Sequence, residues 1–128
     1  MKYRTLWSWL SLVLISFVMA ACESKQEAPP APGAETALMS PAGSAGRADN
    51  DEGVGHYRQG HWDVAEGHFR KALKADQNLA EAHYNLALTL DKMGKHEEAT
   101  ASFKKAAELA PSNPAIKDSP ILKQHVKM

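Results

Sequence analysis

Six histidines and one cysteine are the residues of this 128-residue chain with the richest chemistry. His56, His61 and His68 lie near one another in sequence, and neighbouring imidazoles are the usual beginning of a transition-metal site. The spacing argues against one. His61 and His68 are seven apart, but His61 stands beside Gly60 in an expected turn and not on the helix that carries His68. No His-x3-His pair, His-Glu-x-x-His or Cys-x-x-Cys-His motif occurs. The histidines are therefore read as solvated or packed side chains, with no metal ligand and no cofactor assigned. A metal or ligand carrier built on them stands as the alternative. Serine, histidine and carboxylate side chains are plentiful, yet no strained nucleophile turn or Gly-rich phosphate loop frames a set of them. No catalytic residue is assigned and no enzyme is expected.

The single cysteine excludes both an internal disulfide and a multi-cysteine zinc site. Its surroundings are more telling. Lys2 and Arg4 precede an apolar run from Leu6 to Val18, broken only by Ser8, Ser11 and Ser16. That run is short for a spanning helix, which needs roughly 20 residues, and suits a secretory signal over residues 1–21. It ends in Met19-Ala20-Ala21-Cys22, which resembles the lipobox of bacterial lipoproteins, with Met19 in place of the usual leucine. The resemblance implies a diacylglyceryl group on the Cys22 thiol, cleavage before that residue and a further acyl chain, such as palmitate, on the new amino group. The diglyceride and the amide-linked chain together anchor firmly, at about 0.8 kcal/mol per buried methylene. The resemblance also implies a periplasm-facing envelope protein, with Glu23, which is not aspartate, favouring the outer membrane where there are two. The alternative is an ordinary signal cut after Ala20 or Ala21, leaving a free thiol on a soluble secreted chain.

The elements that carry these residues occupy little length. With 15 basic against 15 acidic side chains the chain has no strong charge of either sign, so a nucleic-acid partner is not expected. Residues 22–48 hold the attachment cysteine and a tether in which Pro29, Pro30, Pro32 and Pro41 alternate with Ala, Gly, Ser and Glu. Leu38 and Met39 are its only large apolar residues, too few to fold alone, so it is read as disordered.

Beyond the tether the chain repeats. Gly60, Ala65, Phe69, Lys71 and Ala72 recur as Gly94, Ala99, Phe103, Lys105 and Ala106, each pair 34 residues apart. That period, with Leu86, Ala87, Ala99, Phe103, Ala106 and Pro111 at signature positions, resembles the tetratricopeptide repeat, with His83 where tryptophan is common and Leu90 where tyrosine is. The fold class expected is all-α, a short helical solenoid of two repeats over 49–113 and a capping helix within 114–128.

Helical spacing gives the same elements independently. Ala82, Leu86, Ala87, Leu90 and Met93 form the stripe of a helix over 80–93, with Asn78 and Glu81 spaced as a capping box and Gly94 as its stop. Ala99, Phe103, Ala106 and Ala107 face inward on the next helix, and Pro111 and Pro114 end it. The matching helix of the first repeat spans 63–75, with Trp62, Ala65, Phe69, Ala72 and Leu73 as its apolar set. The helix before it, across 47–59, is weak: Gly53 and Gly55 each cost about 1 kcal/mol against alanine, and it is expected to fray at its beginning. Asp118-Ser119-Pro120 reads as a cap and first turn leading to about Lys127.

In the family this chain resembles, the working surface is the concave face lined by the first helix of each repeat. The positions that match are Asn50, Val54, Tyr57 and Arg58 in the first repeat and Tyr84, Asn85, Leu88 and Lys92 in the second. Aromatic floor, amide and cations together suit an extended peptide or a helix of a protein partner. Asn85 also matches the asparagine of carboxylate-clamping repeats, whose basic partners are missing at Asn50 and Val54. The function this implies is a lipid-anchored protein-interaction module that scaffolds or assembles an envelope complex. The bland alternative has these residues filling space against the cap or the tether. Two repeats make a thin core, so pairing with a partner or with a second copy is expected.

Overall fold

The structure is a computed structural model that describes residues 36–127. The expected signal peptide, Cys22 and the first part of the expected tether lie outside the described residues. The described chain is all-helical: α1 (Arg47–Arg58), α2 (Trp62–Ala75), α3 (Ala80–Lys92), α4 (His96–Leu109), a single turn α5 (Pro114–Lys117) and α6 (Pro120–Val126). None of these helices is long and apolar enough to cross a membrane.

Each repeat is a helix pair closed by the same turn. Gly60 and Gly94 have φ of 78° and 76°, which only glycine adopts without strain. At each, the glycine N–H donates three residues back, to Tyr57 O and Asp91 O. The next N–H donates five back, His61 to His56 O and Lys95 to Leu90 O, the paired bonds of a Schellman stop. Behind each turn the second helix inserts an Ala-Phe-Ala stripe: Ala65, Phe69 and Ala72 on α2, and Ala99, Phe103 and Ala106 on α4, all fully buried. The alanines let neighbouring helices approach and the phenylalanines fill the resulting wedge.

The central helix α3 is packed on all sides, with every residue from Tyr84 to Leu90 buried. That pattern marks a helix inside a stack and not at its edge. Its two interior polar groups are paired: Thr89 donates to the Asn85 carbonyl at 2.8 Å, and the Asn85 side chain is satisfied at the site described below. On the outside, Glu66 of α2 accepts from Arg70 at 2.8 Å and from Lys95 of the second repeat at 3.0 Å, while Arg70 also reaches Glu98 at 3.1 Å. Burial pushes the Glu66 pKa up, but these two cations more than offset it and hold the carboxyl below its usual range. The cluster spans the joint between the two repeats.

Three sequence expectations change, and Gly53 in the first helix finds its reason. Helix α1 is formed from Arg47 onward, and Gly53 is one of its buried residues because a Cβ there would meet the Phe69 ring at 2.6 Å. The expected cap at Asn78 is not made. The cap position of α3 is Leu79, and the Asn78 N–H instead donates to Asp76 Oδ1 at 3.0 Å. Pro114 both follows α4 and starts α5, capped by Asn113, whose side chain accepts from Ala115 N–H at 3.0 Å. Ser119 does cap α6, accepting from Leu122 N–H at 3.3 Å. Finally, residues 36–46, given to the disordered tether from their composition, lie against the repeats, with Ala37 only 3% exposed. Their seat is the candidate site.

Candidate functional site

The first helices of the two repeats, α1 and α3, form a face on which the chain's own residues 37–40 rest. Asn85 is placed there by the rigid middle of α3, wholly buried, and Asn50 by α1, also wholly buried. The Asn85 amide grips one residue of the resting segment from both sides. Leu38 N–H donates to Asn85 Oδ1 at 2.6 Å, and Asn85 Nδ2 donates to Leu38 O at 2.7 Å. Asn50 Nδ2 adds a second donor to the same carbonyl at 3.0 Å, and Asn85 Nδ2 also donates to Asn50 Oδ1 at 2.8 Å. An N–H and a C=O of one residue turn the same way only in extended backbone, so the pair of asparagines reads an extended peptide as a neighbouring strand would.

Asp51 extends the grip by two residues. Its Oδ1 accepts from Ser40 N–H at 3.0 Å and its Oδ2 from Arg47 Nε at 3.2 Å. Burial pushes the Asp51 pKa up, but the Ser40, Arg47 and Asn50 hydrogen bonds together outweigh it and leave the carboxyl below its ordinary value. Side chains add to the grip: Ala37 is buried in the core cluster and Leu38 is packed against that cluster, while Met39 points outward at 53% exposure. The face therefore accepts a small residue followed by main-chain polar groups.

The eight residues proposed from sequence separate into groups. Asn50 and Asn85 make the contacts just described. Val54, Tyr57 and Leu88 are buried members of the core cluster that also contains Ala37. Tyr57 stacks edge-on against Trp62 at 5.0 Å. Tyr84 turns toward the cap, donating to Ser119 Oγ at 3.0 Å and meeting Phe103 edge-on at 5.7 Å. Arg58 and Lys92 are exposed. The sequence does not single out Asp51, and it offers Leu38 and Met39 only as too few to fold alone; neither carries a signal that the backbone of residues 37–40 would dock.

Two clusters of possible metal ligands also form, Glu52 with His56 and His68, and Asp91 with His96 and His125. In the second, Asp91 Oδ1 accepts from His96 Nδ1 and from His125 Nε2, each at 2.9 Å, and the remaining nitrogen of His125 meets Thr100 Oγ1 at 2.9 Å. Those rings are held by ordinary hydrogen bonds that tie α6 to α3. The first cluster is different and is taken up below.

A stack of paired helices whose first helices hold an extended segment of the same chain defines a helical-repeat fold. A family model for the tetratricopeptide repeat matches residues 50–114, half of the chain, and the protein belongs to that family. Repeats of this family commonly mediate protein–protein contacts and are typically not catalytic. No curated protein matches the chain.

Proposed function

We propose that this protein is a lipid-anchored module of the cell envelope that binds an extended segment of a partner protein on the face formed by α1 and α3, and so scaffolds or assembles an envelope complex. The observation that carries the binding part is the grip of Asn85 and Asn50 on the main chain of Leu38. A buried asparagine amide that brackets one peptide unit is chemistry for a strand, and any strand with a small residue in the Ala37 place presents the same groups. The resting segment is the chain's own, so a partner must displace it. The anchoring part rests on the lipobox-like ending at Cys22, with a periplasmic, outer-membrane address from Glu23.

The test uses photo-crosslinking residues in the intact protein in its own cells. Arg58 and Lys92 are the exposed members of the expected face, and Lys104 on α4 is the outer control. Each is introduced with and without Leu38→Pro, which removes the N–H that binds Asn85. A discrete heavier species from Arg58 or Lys92, strengthened by Leu38→Pro and absent from Lys104, is expected. Crosslinks only within the chain or to a second copy, even with Leu38→Pro, would overturn the partner reading and leave a structural subunit.

A further inference from the structure

We infer that Glu52, His56 and His68 form a binding site for a divalent transition ion of the zinc type, which fastens α1 to α2. Glu52 and His56 are four apart on α1, so they share one face of that helix, and packing brings His68 of α2 against them. The His56 and His68 rings stack with centroids 5.2 Å apart. Nδ1 of each ring is buried and has no hydrogen-bond partner. Two neighbouring ring nitrogens in that state are costly, because each has lost water and gained nothing. A cation that accepts both lone pairs removes the cost.

The geometry suits such an ion. One ligand atom from each of the three residues lies within 4.8 Å of the others, and His68 Nδ1 is already 3.7 Å from Glu52 Oε2. Zinc–nitrogen bonds of about 2.0–2.1 Å place tetrahedral ligands roughly 3.4 Å apart, so an ion must draw the three ligand atoms together and turn the two rings out of their stack. Two imidazoles and a carboxylate are a donor set that zinc and its neighbours accept and that calcium and magnesium do not favour. The Glu52 carboxylate is exposed and gives the ion a way in; water fills the fourth place, with the His61 ring, 5.8 Å from His56, as the nearest further imidazole. Asp49 Oδ1 stands on the same side, 3.8 Å from His68 Nδ1, with its own charge engaged by Lys71 at 3.1 Å. The Asp91 cluster offers no comparable vacancy among its ring hydrogen bonds, since Asp91 and Thr100 already hold both nitrogens of His125.

The experiment titrates zinc chloride into the purified full chain and measures zinc retained after gel filtration, together with the unfolding temperature. One zinc per chain is expected, with an unfolding temperature that climbs with the logarithm of free zinc. His56→Gln with His68→Gln abolishes both effects, while His96→Gln leaves them intact. Glu52→Gln, at a side chain 62% exposed and so without consequence for folding, weakens zinc at least tenfold. Failure of the unaltered chain to retain zinc overturns the inference. So does retention by the double histidine variant, or loss of zinc in His96→Gln, which would move the ion to the Asp91 cluster.

Discussion

Replacing Gly53 with alanine pits helix propensity against packing at one atom. A Cβ at this position would lie 2.6 Å and 2.8 Å from two carbons of the Phe69 ring and 3.1 Å from His68 Cβ. Carbons rest about 3.5–4.0 Å apart, so the ring must retreat by roughly 1 Å from a site where it is fully buried. Overpacking of that kind costs about 1–3 kcal/mol, and the ring's confinement puts this site in the upper half of the range. Alanine returns about 1 kcal/mol through helix propensity. The net is a loss of about 1–2 kcal/mol. Gly55, two residues on in the same helix, has nothing within 4 Å of its notional Cβ, so Gly55→Ala keeps the whole propensity gain of about 1 kcal/mol. For a domain of this size each kcal/mol moves the midpoint by about 4–8 °C. Thermal and urea unfolding followed by far-ultraviolet circular dichroism should therefore show the two substitutions moving the midpoint in opposite directions. If Gly53→Ala raises stability as Gly55→Ala does, Phe69 is not wedged against α1 and the account of the first repeat is wrong.

Asn85→Ala removes both bonds to Leu38 and should release residues 37–40, seen as faster amide exchange at Leu38 and Ser40 with the core of α2 and α4 still protected; unchanged exchange at Leu38 would refute the grip. Lowering the pH should loosen the same segment. The Asp51 pKa is depressed below its ordinary 3.8, so the unfolded chain takes up a proton before the folded one; the Asp51 contribution is complete above about 3.8 and is lost as pH falls through the folded value. Subtracting the acid titration of Asp51→Asn from that of the unaltered chain, read at the Ser40 amide resonance, isolates this effect, and coincident curves would rule it out. Cys22→Ser should move the protein from the membrane pellet to the soluble fraction of fractionated cells, whereas an unchanged distribution means that no lipid on Cys22 holds it.

The parts of this molecule that were legible in its sequence are those that side chains specify. The 34-residue register places Gly60 and Gly94 at identical turns, and Phe69 and Phe103 are the wedges their spacing implies. What stayed hidden depends on groups without a side-chain signature or on contacts between helices. Residues 37–40 dock through peptide N–H and C=O groups, which every residue carries, so Ala-Leu-Met-Ser at the end of a proline-rich stretch looked merely disordered. Gly53 looked like a defect because its reason is Phe69, sixteen residues away on another helix. His56 and His68 showed no motif because the partner that completes their set is a carboxylate, Glu52, one turn before His56. Asn78 is not the cap because the helix starts one residue later, at Leu79, and the Asn78 N–H expected to go to Glu81 goes to Asp76 instead.

The stack has a direction. Helix α6 lies against α4 where the first helix of a third repeat would go, with Ile116 and Leu122 fully buried beneath it and Pro120, Lys123, Gln124 and Lys127 turned to solvent. Head-to-tail growth of a filament needs two complementary ends, and this arrangement closes one of them. Repeat ends that paired would then do so symmetrically through α1, and a symmetric pair stops at two copies. Sedimentation at rising concentration is expected to level off at twice the monomer mass or never leave it.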